Sequence, residues 1–71
     1  MNATFDPAVD AAYLSLREVA NGQVARSEAL HFDGVAGDIL LDFDGEGRLV
    51  GIEVLGASSV LPDELLDAAE R

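Results

Sequence analysis

The sequence predicts an α+β fold: a small antiparallel β-sheet, a meander of about four to five strands, with a short C-terminal helix, in one domain spanning residues 1–71. Two runs of period-two alternation flank a glycine-rich turn between Asp38 and Leu55, and Leu61, Leu65 and Ala69 recur at helical spacing further on. The chain is also short and has no cysteine, so it holds one core with no disulfide or thiolate–zinc staple.

Asp6 to Ala20 supports two readings. As a helix, Asp6 caps, Pro7 occupies the first turn, Val9, Tyr13, Leu16 and Ala20 form a stripe, and Gly22 stops it. As a strand, Ala12, Leu14 and Leu16 alternate with Tyr13, Ser15 and Arg17 after an Asp6–Pro7 turn. Propensity alone leans helical. Val24 to Phe32, between turn signals at Asn21-Gly22 and Asp33-Gly34, reads as a strand in which Val24, Leu30 and Phe32 share a face with Arg26 and Glu28. Charges in that pattern suit an edge strand, where they discourage unwanted pairing between sheets.

Ile39, Leu41 and Phe43 fall on one face of the next strand, and Val50, Ile52 and Val54 on one face of the strand after it. Between them Asp44-Gly45-Glu46-Gly47 is turn chemistry, because glycine accepts the positive φ that hairpin loops demand. After Gly56, Ser58 and Ser59 offer caps for a helical turn before Pro62, and Asp63 and Glu64 lie where a helix dipole favours anions. The expected helix runs through 60–71, with Leu66 joining the Leu61, Leu65, Ala69 stripe. So short a helix is unstable alone, and its stripe must dock on the sheet or on another subunit.

Fourteen acidic against four basic side chains give a net charge of −10, and every basic residue is an arginine. Arg17, Arg26, Arg48 and Arg71 are scattered singly, so no phosphate-tracking surface forms and nucleic acid is disfavoured as a partner. An anionic membrane repels such a chain, and no apolar run reaches the length of a membrane span. The N-terminus has neither a basic n-region nor an apolar h-region, so the cytoplasm is the expected compartment. A basic protein or a cation is the partner that this charge steers inward. A chain this short buries only about 60% of the surface its unfolded form exposes, which makes a homo-oligomer, a dimer or larger, the expected state.

Asp42 to Glu53 carries a second possibility. Oxygen ligands at positions 1, 3 and 5, glycine at 6 and glutamate at 12 match the spacing of an EF-hand calcium loop, with Asp42, Asp44, Glu46 and Glu53 as ligands beside the Arg48 carbonyl. Strand-like flanks oppose it, since an EF-hand sets its loop between helices and pairing across the turn would hold Glu53 away from the turn oxygens. Asp42 and Glu53 could still form the centre of a weak cation site on one strand face. The sequence shows no catalytic constellation: the lone His31 has no second histidine or cysteine to complete a zinc site, and Ser15, Ser27, Ser58 and Ser59 lack a spaced base. No cofactor other than calcium is expected. Tyr13 is the aromatic suited to an interface, because its hydroxyl gives an apolar ring a polar end.

Phe5-Asp6-Pro7, Asp10, Tyr13-Leu14, Leu41-Asp42-Phe43-Asp44, Gly47-Arg48-Leu49-Val50-Gly51-Ile52-Glu53 and Ala57-Ser58 resemble the signature of an uncharacterised bacterial group, the domain-of-unknown-function family 2283. The resemblance covers residues 4–59 as a sheet unit and leaves the 60–71 tail outside; Phe43 stands where a tyrosine is common. It implies a small sheet-rich protein, which turns the reading of residues 7–20 toward a strand. It also implies, by association with small toxin-like ribonucleases, an antitoxin-like role.

Two functions remain open from the sequence. One is an oligomerising protein-interaction module, with an antitoxin-like partner of a basic toxin protein as its specific form, using Tyr13, Leu61, Leu65, Asp42 and Asp44. The other is a divalent-cation module using Asp42, Asp44, Glu46 and Glu53.

Overall fold

A computed structural model describes residues 2–17 and 23–71. Five strands form one antiparallel sheet: β1 Asn2–Asp6, β2 Ala11–Ser15, β3 Arg26–Leu30, β4 Asp38–Phe43 and β5 Leu49–Leu55. A 3₁₀ turn at Ala57–Ser59 and one helix, α1 Asp63–Ala68, follow. The segment open to either reading contains a strand, β2. Its Ala20, and the turn expected at Asn21-Gly22, lie outside the described residues.

The spatial order is β1-β2-β5-β4-β3. Strands β3, β4 and β5 are a meander, and the β1–β2 hairpin closes on the far side of β5. A single meander would set β3 beside β2. Instead β5 fills that place, because its Val50, Ile52 and Val54 are apolar enough to be buried between two neighbours, whereas β3 with Arg26 and Glu28 suits the edge it occupies. That edge strand is shorter than the nine residues from Val24 to Phe32, and both of those apolar ends are exposed.

Residues paired across strands share a face. One face carries the rows Phe5, Ala12, Val54, Ile39, Leu30 and Ala3, Leu14, Ile52, Leu41, Glu28. The other carries Thr4, Tyr13, Glu53, Leu40, Ala29 and Asn2, Ser15, Gly51, Asp42, Ser27. The register shifts between Asp42, opposite Gly51, and Phe43, opposite Leu49, so β5 has one extra residue there, the fully buried Val50.

Helix α1 lies on the first face. Leu66 packs with Ala12, Val54 and Ala57, and Phe5, Ile52, Val60 and Leu61 surround them. Of the expected stripe, Leu66 and Ala69 are buried and Leu61 packs on the core, while Leu65 is only half-buried. The helix is also shorter than 60–71. It ends at Ala68 because Arg71 Nη1 donates to the Leu66 carbonyl, 2.8 Å, and Glu70 turns back onto β1. There the Phe5 N–H donates to the Glu70 carbonyl and the Glu70 N–H to the Ala3 carbonyl, which closes that sheet edge. Ser58 and Ser59 do not cap α1; its first residue follows Pro62, with no side-chain cap.

Candidate functional site

Three side-chain constellations stand out, and all three use residues from the Asp- and Gly-rich stretches of the sequence. The first crosses the face opposite α1. Tyr13 on β2 lies over Gly51 on β5 and donates its hydroxyl to Asp42 Oδ2 on β4, 2.8 Å, while Ser27 Oγ on β3 donates to Asp42 Oδ1, 2.6 Å. A Cβ at Gly51 would overlap the Tyr13 Oη and Cζ, so glycine is what lets the ring reach across β5. Burial, then the bond to the Asp42 carboxylate and the negative charges of Asp42 and Glu53, push the Tyr13 hydroxyl up to about 12. At neutral pH it holds its proton and serves as a donor.

The second constellation is the β4–β5 turn. Asp44 is 7% exposed, and its Oδ1 accepts the N–H groups of Glu46, 2.9 Å, and Arg48, 3.0 Å. Its Oδ2 accepts Arg17 Nη2 at 2.6 Å. The Arg48 N–H foremost, then the Glu46 N–H and Arg17, hold this carboxyl below the usual range against the opposing effect of burial. Gly47 takes the positive φ, 81°, that the turn requires.

The third ties two turns together. Asp10 adopts a left-handed backbone, φ 53°, and its carbonyl accepts the N–H groups of Gly56 and Ala57. Its carboxylate accepts the Ser58 N–H, 2.9 Å, and the Ser58 Oγ–H, 2.8 Å. Asp is one of the few residues that tolerates this backbone, and its short side chain is what reaches Ser58.

These contacts place each sequence-derived candidate. Tyr13, Asp42 and Glu53 come together on one face. Asp44 is folded into the turn, and Glu46 is exposed at its tip. The loop is a hairpin turn between strands rather than a loop between helices, and among the described residues no group of three or more His, Asp or Glu side chains is placed to hold a metal ion. Leu61 packs against the protein's own core. His31 is 75% exposed, with its Nδ1 3.4 Å from Asp38 Oδ1. A shallow depression of about 310 Å³ beside β1 and β2 includes Tyr13, Glu53 and Arg71, whose guanidinium lies 5.0 Å from the Phe5 ring centroid. Sequence reasoning missed the Arg17–Asp44 and Ser27–Asp42 contacts, since each joins residues far apart in the chain with no local signal. Among the described residues, no helix is long and apolar enough to cross a membrane.

No curated protein and no solved structure matches the chain significantly. Residues 2–58 match a family described as a protein of unknown function (DUF2283). The match ends at Ser58, so it takes in all five strands and all three constellations and leaves out α1. With most of its length matched and the residues of its signature forming the fold's own ties, this chain belongs to the DUF2283 family.

Proposed function

We propose that this protein is a small oligomerising interaction module that binds a basic protein partner, in the manner of an antitoxin, in the cytoplasm. The observation that carries the reading is the half-covered apolar face. Leu66 and Leu61 cover β1, β2 and β5, while Leu30, Ile39, Leu41 and Phe43 on the β4–β3 half of the same face stay only half-buried. Apolar surface left in this state on so small a chain favours association.

Charge supports a basic partner. The net charge is −10, and three of the four arginines are engaged internally: Arg17 with Asp44, Arg26 with Glu28, and Arg71 with the end of α1 and Phe5. Exposed Asp33 and Glu46 add to the negative surface that draws in a basic partner, so the encounter is electrostatically steered. The helix stripe contributes nothing to this contact, because Leu66 faces the protein's own sheet.

The test is a low-salt pull-down from the protein's own cells with mass-spectrometric readout, followed by association kinetics against ionic strength. A stoichiometric small basic protein whose on-rate falls as salt rises supports the reading. Recovery of the bait alone, together with a monomeric mass by sedimentation equilibrium, refutes it.

A further inference from the structure

The two sheet edges differ. Glu70 closes the edge of β1, whereas β3 pairs only with β4 among the described residues. Backbone alternation shows which β3 groups face outward. The Asp44 N–H donates to the Arg48 carbonyl on the β5 side, which turns Asp42 and Leu40 toward β5 and Phe43, Leu41 and Ile39 toward β3. Their register partners Arg26, Glu28 and Leu30 therefore face inward, and the Phe43 carbonyl agrees by accepting the Ala25 N–H. Ser27 and Ala29 direct their N–H and C=O groups away from the sheet.

Outward from Ser27, the segment Val24-Ala25-Arg26-Ser27-Glu28-Ala29-Leu30 is its own complement. We propose that β3 pairs antiparallel with β3 of a second copy about a twofold axis at Ser27. In that register Arg26 stands opposite the second copy's Glu28 and Ser27 opposite its Ser27, while Val24 and Ala25, which precede β3, lie toward the second copy's Leu30 and Ala29. Each charge meets its opposite, and the opposite face at the axis carries only small side chains. Moving the axis to Glu28 would set two carboxylates directly opposite, and moving it to Ala29 would set Glu28 against Leu30. The edge charges thus select one register of self-pairing instead of only blocking it.

The geometry suits this contact. Arg26 Nε lies 3.2 Å from Glu28 Oε2 and its guanidinium 4.9 Å from the Phe43 ring centroid, so the pair is held on the face that bears α1. Both side chains are more than half exposed, 61% and 54%. Val24 and Phe32, exposed at 37% and 49%, flank the strand. Pairing brings the half-covered Leu30, Ile39, Leu41 and Phe43 surfaces of two copies onto one side of a joined sheet, with the Arg26 and Glu28 pairs along the seam between them.

This inference rests on the self-association proposed above, and the experiment separates the two. Sedimentation equilibrium is run on the full chain, on Arg26→Glu, on Glu28→Arg and on an equimolar mixture of the two variants. The wild type is a dimer. Each variant sets like charges opposite at two symmetric positions and raises the dissociation constant about tenfold or more. The mixture restores complementary pairs and yields a heterodimer, which misfolded variants could not do. A wild-type dimer unaffected by either variant, or variants that weaken the dimer without rescue on mixing, overturns the β3 register and leaves self-association standing. A monomeric wild type overturns both.

Discussion

Gly51→Ala tests the ring crossing on which the polar face depends. The new methyl would occupy the position of the Tyr13 hydroxyl, so the ring must swing off β5. A hydrogen bond to a charged group contributes about 1.5–3 kcal/mol, and roughly half of that survives at this half-exposed site, about 1 kcal/mol. Lost contact between ring and strand adds on the order of 1 kcal/mol at ~25 cal/mol/Å² for ~40 Å² of apolar area. Replacing glycine by alanine within a strand returns about 0.5 kcal/mol of backbone entropy. The net cost is about 1.5 kcal/mol, a fall in Tm of roughly 6–12 °C for a domain of this size. In a Tyr13→Val background no ring reaches Gly51, and the same substitution becomes mildly stabilising. Urea denaturation of the four proteins in a double-mutant cycle should give a coupling of about 2 kcal/mol. A coupling below about 0.5 kcal/mol would show that the glycine serves some purpose other than clearing Tyr13.

Tyr13 also sets an alkaline limit: its folded-state proton is held to about 12 against an ordinary value near 10, so stability is fully present below pH 10 and is lost between pH 10 and 12. Tyr13→Phe should flatten that loss, as read by denaturant midpoints across the range. Asp44 acts at the acid end; its lowered folded-state value contributes stability above the ordinary carboxylate range that is lost as pH falls through it, and Asp44→Asn should weaken this acid dependence in melts from pH 6 to pH 2. Leu66→Ala, which empties the centre of the helix contact, should cost about 2–3 kcal/mol, and Leu65→Ala less than half as much; equal costs would return the stripe to its sequence-expected orientation. Millimolar calcium should leave Tm within about 1 °C, because both Asp44 oxygens and both Asp42 oxygens already accept protein donors, and a larger rise would point to a cation site in the 42–53 segment.

The signature residues acquire physical roles in this fold. Asp10 and Ser58 clamp the β1–β2 turn to the end of β5, Gly51 opens a passage for Tyr13, Asp42 accepts the hydroxyls of Tyr13 and Ser27, and Asp44 builds the hairpin turn. In the Asp42–Glu53 stretch, Asp42 at the first position accepts two hydroxyls across the sheet and Asp44 at the third closes the turn through two backbone N–H groups.

Local information was enough for the 38–55 hairpin, the edge character of β3 and the presence of a C-terminal helix, because period-two alternation, edge charges and i, i+4 spacing are written in neighbouring residues. Residues 7–20 were ambiguous for the same reason: helical and strand patterns both fit Val9 to Leu16, and pairing with β1 and β5 makes Ala11–Ser15 a strand. Nothing local announces that β5 inserts between β2 and β4, that Leu66 rather than Leu65 is buried, or that Arg17 finds Asp44. Those outcomes depend on which distant surfaces exclude water together, and a chain of 71 residues has few such arrangements open to it. The sequence by itself determined the 38–55 hairpin, the edge character of β3 and the presence of a C-terminal helix; tertiary packing decided the choice of strand for β2, the order of the strands and the engagement of each carboxylate, since contact energy between remote segments is set by the assembled sheet.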